Sequence, residues 1–166
     1  MDGVKAYRLT HSKCHRALVN HQYETREITG TYGETVKQLL LEAGPFILIE
    51  HDNDPTPEHL AEVWEWRNRF AKPVVLAARY LLHQVTTGLP EPVCAHRPRF
   101  GEWVTGDRLE VVQYFGLGCT YLPQELHDLI DPTWDYPALD YQISQAWLDA
   151  GHKAYALPIW VEHLHK

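Results

Sequence analysis

Hydrophobic positions along this chain switch repeatedly between a period of two and a period near 3.6. Residues 4–9 alternate loosely and predict a first strand. Residues 15–21 and 25–29 predict a helix and a short strand closed by Gly30. Over residues 35–43, Val36, Leu39, Leu40 and Ala43 share a helical face, and Gly44-Pro45 stops the helix. A wholly apolar run, Phe46-Ile47-Leu48-Ile49, then ends abruptly in Glu50-His51-Asp52-Asn53-Asp54. It is too short for an amphipathic helix and reads as a buried strand, expected to be parallel, with its carboxyl end at Glu50.

Thr56-Pro57-Glu58 opens a helix over residues 56–70 with proline at its first position and Leu60, Val63 and Trp64 on one side. Residues 73–82 predict another strand, and the proline-rich 88–99 a loop. Trp103-Val104 and residues 109–115 flank Thr105-Gly106-Asp107 and predict an antiparallel hairpin. Residues 123–130 form a short helix ended by Asp131-Pro132. Residues 139–150 form a longer one, with Ile143, Trp147 and Ala150 on one face, and 153–157 a final strand. The alternation predicts an α/β fold: a compact, Rossmann-like, mostly parallel central sheet flanked by helices, with a small antiparallel element, in one domain over residues 1–166.

Composition narrows the picture. With 166 residues, 45% of them hydrophobic, the chain can bury one real core. No apolar run approaches the ~20 residues of a membrane span. Met1-Asp2-Gly3-Val4-Lys5 has no signal-peptide core, so a cytosolic protein is expected. A net charge of −7 disfavours a broad nucleic-acid-binding surface. Cys14, Cys94 and Cys119 lie far apart and suggest neither a zinc site nor a disulfide framework.

The candidate chemistry gathers at strand ends. In open α/β sheets ligands bind beyond the carboxyl ends of strands. Carboxylates there, Glu50 and Asp52, can hold a hard divalent cation, and that cation can hold phosphates. Being two residues apart, they project to one side if the backbone stays extended. His163 and His165 are also two apart, on what reads as an extended tail, and either offers an imidazole that suits manganese better than calcium. Asp140 opens a helix, where its anion is stabilised; it serves there as a general base or as a simple cap. Phe115-Gly116-Leu117-Gly118-Cys119-Thr120 lacks the third glycine of a dinucleotide fingerprint. It marks either a tight turn or backbone that something approaches closely. Trp103, Tyr114 and Trp134 are candidates for stacking on sugar faces, or plain packing residues.

Taken in order, these blocks carry a resemblance: the apolar strand with Glu50-His51-Asp52, Gly116-Leu117-Gly118-Cys119-Thr120, Leu139-Asp140, Ala150-Gly151-His152-Lys153-Ala154-Tyr155, Pro158 and a closing histidine. The series resembles the GT-A glycosyltransferases, in particular the inverting family-2-like group and its short bacterial and phage forms. The resemblance implies a metal-dependent transfer of sugar from a nucleotide-diphosphate donor to a hydroxyl acceptor. Glu50-His51-Asp52 stands where the Asp-x-Asp motif would be, with Asp52 as main metal ligand and Glu50 contacting metal or ribose. Asp140 takes the place of the catalytic base, with Leu139 where the family carries a glutamate, and His163 or His165 that of the late metal-binding histidine. Thr10 and His11 fall in the nucleotide-facing loop, and the segment containing Gly118 shapes the donor and acceptor pocket. The implied cofactor is manganese or magnesium and the implied partner a nucleotide sugar; neither acceptor nor oligomeric state is indicated. Two rival readings stand beside it: a metal-dependent phosphoesterase or nucleotidyltransferase, and an inactive relative that only binds nucleotide or glycan.

Overall fold

The computed structural model describes residues 3–10, 23–82, 93–99 and 101–164. The elements are β1 (Ala6–Thr10), β2 (Glu24–Glu27), α1 (Tyr32–Ala43), β3 (Phe46–Glu50), β4 (Asn53–Asp54), α2 (Pro57–Trp66), β5 (Val74–Arg79), β6 (Leu81–Leu82) and β7 (Val93–Cys94). They continue with β8 (Glu110–Val112), β9 (Cys119–Leu122), α3 (Leu139–Asp149), β10 (Lys153–Trp160) and β11 (Glu162–His163). Two 3-10 turns, Arg67–Arg69 and Gln124–Leu129, stand where the sequence predicts the end of one helix and the whole of another. The helix expected over 15–21 lies outside the described residues.

A seven-stranded sheet runs in the order β2-β1-β3-β9-β5-β10-β8. β2, β1, β3, β5 and β10 point one way, while β9 and β8 run against them. β3 is parallel to β1, as its sequence suggests, but antiparallel to β9 on its other edge. The apolar run explains this central place. Phe46 and Leu48 enter one core cluster, Ile47 and Ile49 the other, and all four are sealed from water. Each contributes roughly 1.5–3 kcal/mol by that burial.

Helices cover both faces. α1 (through Val36, Leu39 and Leu40) and α3 (through Ile143 and Trp147) pack on the Phe46–Leu48 side. Leu60, Val63 and Trp64 of α2 pack on the Ile47–Ile49 side. Capping boxes at Thr31 and Thr56 fix the first turns of α1 and α2. α1 starts soon after β2 ends, and α3 leads into the start of β10, so the N-termini of both helices lie at the carboxyl edge of the parallel strands. Among the described residues no helix is long and apolar enough to cross a membrane.

The predicted hairpin across Thr105-Gly106-Asp107 does not form. Val104 donates instead to the His96 carbonyl, and β8 pairs antiparallel with β10. Local turn chemistry lost to a longer-range partner: Val112, fully buried, pairs opposite Ala154 of β10. Within the predicted 88–99 loop, Val93–Cys94 pairs with β6 as a small antiparallel ladder. β9 lies in the glycine-rich stretch that reads as turn or loop in the sequence.

Candidate functional site

The site grows from the point where β3 runs out of apolar residues. Glu50 ends the strand, and its amide donates to the Gly118 carbonyl at 2.9 Å. The chain then turns at His51-Asp52, so strand alternation does not set the direction of Asp52. The turn is braced from β1, where buried Arg8 donates to the Asn53 carbonyl. Beyond it, β4 pairs antiparallel with β11, with Asn53 opposite His163. The Leu164 amide closes the ladder on the Asp52 carbonyl at 2.6 Å. That pairing brings His163 to Asp52 across 111 residues, with Nε2 2.9 Å from Oδ2.

The other ring nitrogen fixes the chemistry. His163 Nδ1 lies 2.7 Å from the Leu81 carbonyl, which can only accept, so Nδ1 carries a proton. Nε2 then either donates to Asp52 as part of an imidazolium or presents a lone pair. The hydrogen bond to Asp52 holds His163 above its ordinary pKa. Burial acts to raise the Asp52 carboxyl, but the His163 bond and charge outweigh it and hold the group low.

Asp140, in the first turn of α3, accepts from the Leu117 amide at 3.2 Å. One turn on, the Ser144 hydroxyl accepts from the Phe115 amide at 3.1 Å. The glycine-bearing segment is thus clamped along one side of α3. His96 holds it from the other side: Nε2 donates to the Ala78 carbonyl at 2.6 Å, and Nδ1 accepts from Gly116 at 3.1 Å. Burial lowers its pKa to about 4, so His96 is a neutral structural relay.

Neither Gly116 nor Gly118 has a positive φ; the chain turns at Gly118 into β9, and both glycines are closely approached by other side chains. A Cβ on Gly116 would stand 2.1 Å from the Tyr80 hydroxyl. One on Gly118 would stand 2.5 Å from the Tyr80 ring and 2.6 Å from Asn53 Nδ2. The Tyr80 hydroxyl also accepts the Gly118 amide at 3.3 Å. Gly118→Ala should therefore destabilise the fold by about 1–3 kcal/mol, read as a lower denaturant midpoint at unchanged slope. An unchanged midpoint would contradict this packing.

Three carboxylates share the edge. Glu50 is held well above the usual carboxylate range by burial, with the charges of Asp140 and Asp52 adding. Burial pushes Asp140 up to about 6, against the pull of the Leu117 amide. Such crowding of acidic groups is an environment a cation would relieve.

The fit to a divalent ion can be tested on the Asp52–His163 pair. Two ligands at right angles on bonds of about 2.1 Å stand about 3 Å apart, and this pair stands 2.9 Å apart. A backbone carbonyl on the far nitrogen is the support that metal-bound histidines carry. Among the described residues no third His, Cys, Asp or Glu completes a cage, so Glu50 stands beside the pair and not in it. Magnesium-type ions at substrate sites are commonly held by one or two carboxylates with phosphate and water in the remaining positions; here Asp52 is the one carboxylate and His163 would add an imidazole.

Thr10 ends β1 one step past the Leu9–Glu50 row, at the same edge of the sheet. His11 and His165 lie outside the described residues. Trp103 and Tyr114 have Arg97 stacked over their rings, at 4.2 and 5.1 Å, and Trp134 packs against the core, so none of the three is presented as a bare sugar platform. Sequence reasoning missed Tyr80, His96 and Ser144, which position the segment, and Tyr32, whose phenol is held well above its usual range by burial and the charges of Glu50, Asp140 and Asp52. No spacing signal links these residues; only the tertiary fold brings them together.

No protein-family profile and no curated protein matches this chain. Solved structures share its fold. A197 from STIV aligns over 93% of this chain and 82% of its own, with a TM-score of 0.59 and 18% identity. An apo UDP-glucose pyrophosphorylase aligns over 85% of this chain, with a TM-score of 0.50 and 12% identity, and this chain spans 57% of its length. At these identities the likeness is one of architecture alone, a mixed α/β fold.

Proposed function

We propose that this chain is a metal-dependent glycosyltransferase of GT-A type, moving a sugar from a nucleoside diphosphate onto a hydroxyl acceptor with inversion. The observation that carries the reading is the approach of His163 to Asp52 beside the Glu50 and Asp140 carboxyls. Asp52 and His163 would hold manganese or magnesium. Such an ion, when bound, neutralises charge on the leaving diphosphate. The Leu117 amide orients the Asp140 carboxylate, which takes the proton from the acceptor hydroxyl. The acceptor oxygen forms its bond to the anomeric carbon as the bond to the phosphate oxygen breaks, and nucleoside diphosphate departs. Thr10 borders the nucleotide, and Gly118 supports Glu50 from below.

Likeness of fold to a UDP-glucose pyrophosphorylase supports placing UDP-sugars first among candidate donors. The test is a panel of nucleotide sugars with and without manganese, followed by melting temperature and by release of nucleoside diphosphate. One nucleotide should raise the melting temperature only with the metal, and its sugar donor should slowly release diphosphate. No response to any donor would reject the transferase. Exchange of pyrophosphate into a donor, without diphosphate release, would assign a nucleotidyltransferase instead.

A further inference from the structure

Asn53 is fully buried, yet only half of its side-chain amide is satisfied. Its Nδ2 donates to Asp52 Oδ1 at 3.3 Å, while its own Oδ1 has no hydrogen-bond partner among the described residues. The orientation is forced, because a carboxylate oxygen can only accept and so meets the amide nitrogen. A buried acceptor left unpaired costs stability, so a leucine of the same shape would serve packing at least as well. What the amide supplies is a hold on one oxygen of Asp52.

That hold is rigid. The Asn53 backbone carbonyl accepts from buried Arg8 at 3.1 Å, and its place in the β4–β11 ladder is opposite His163. Its Nδ2 fills the room left by Gly118, 2.6 Å from where a Cβ would stand. The two oxygens of Asp52 therefore have separate duties. Oδ1 is tied to a fixed amide, and Oδ2 stands 2.9 Å from His163 Nε2. The Asp52 side chain is 35% exposed and that of His163 14%, so a cation can reach the pair from solvent while Asn53 stays behind it. The separation bears on the choice of cation. Calcium gathers about six to eight oxygens in a flexible shell and accepts both oxygens of one carboxylate. Magnesium-sized ions demand a near-octahedral shell, which the narrow bite of a chelating carboxylate does not fit.

We infer that Asn53 sets the metal selectivity of this pair: by holding Oδ1 it limits Asp52 to one free donor oxygen, and so favours manganese or magnesium over calcium. This rests on the metal-dependent transferase reading and adds to it the residue that chooses the ion. The test is Asn53→Leu, which keeps the shape of the side chain and removes the amide, with Asn53→Ala as a second variant should the first fail to fold. Protein-bound manganese is measured by electron paramagnetic resonance against protein-free controls, without nucleotide and with UDP or GDP, and calcium is then titrated in as competitor. The wild type should keep manganese against an equal concentration of calcium. In the variant calcium should displace manganese at about a tenfold lower concentration, the size of effect typical for partners that orient a metal ligand. A variant that melts lower but keeps the wild-type preference shows a structural role alone, and overturns the inference while the transferase reading stands. Equal weakening of both ions overturns it too, as does a wild type that binds manganese with no preference over calcium. A wild type that binds no manganese, with or without nucleotide, removes the metal-dependent transferase reading and the inference together.

Discussion

Asp140→Asn should abolish sugar transfer, by roughly a thousandfold, while leaving donor affinity within about twofold of wild type. The asparagine carbonyl can still accept the Leu117 amide that Asp140 accepts at 3.2 Å, so the glycine segment keeps its clamp. What it loses is the capacity to take a proton, and general-base catalysis typically supplies 10²–10⁴-fold. Single-turnover transfer and donor titration on the same variant separate the two effects. Retained transfer, or lost donor binding, would assign Asp140 to capping.

The acid limb of the rate profile is part of the same result. With its carboxyl pushed up to about 6, Asp140 is increasingly protonated below that pH, so the transfer step, which needs the base, should slow about tenfold per unit. Stability runs the other way. A carboxyl raised above its usual value of 3.8 leaves its contribution intact below that pH and loses it as pH rises through about 6. Asp140→Asn carries no such loss, so at pH 7 it should melt at or above the wild-type temperature. A variant that melts well below wild type at pH 7 would contradict this.

Asp52→Ala should erase the manganese-dependent rise in melting temperature and cut donor turnover by roughly a thousandfold, the equivalent of ~4 kcal/mol. The substitution removes Oδ2, which stands 2.9 Å from His163 Nε2, but it leaves the backbone ladder of β4 and β11 in place. The Leu81 carbonyl keeps His163 oriented by its other nitrogen. The variant therefore folds and isolates one pair of ligands. His163→Gln should reproduce the loss from the other side. An undiminished manganese response in both variants would move the ion away from this pair.

Several elements were legible because one local rule decided them. The apolar run at Phe46–Glu50 could only be a buried strand, and Thr56 with Pro57 could only open a helix. α1 and α3 each show their buried face in the spacing of the chain. β9 was not legible, since two glycines ahead of Cys119 carry a turn signal, and only their crowding against Tyr80 shows why they are glycine. The hairpin around Gly106 was read wrongly for the complementary reason: its turn chemistry is sound, but the Val104 amide goes to the His96 carbonyl and Val112 pairs opposite Ala154 of β10.

The site divides in the same way. Sequence alone placed Glu50 and Asp52 at the end of a buried strand and Asp140 at the start of a helix, because strand period, helix capping and turn chemistry act over a few residues. It also brought forward the late histidines, without a means of choosing between them. That His163 reaches Asp52, that Glu50 and Asp140 come to share one edge, and that His96 carries a neutral structural load were decided by sheet order and register. Those contacts join residues up to 111 positions apart. Their geometry depends on which strands lie side by side, and no pattern within a single element encodes that.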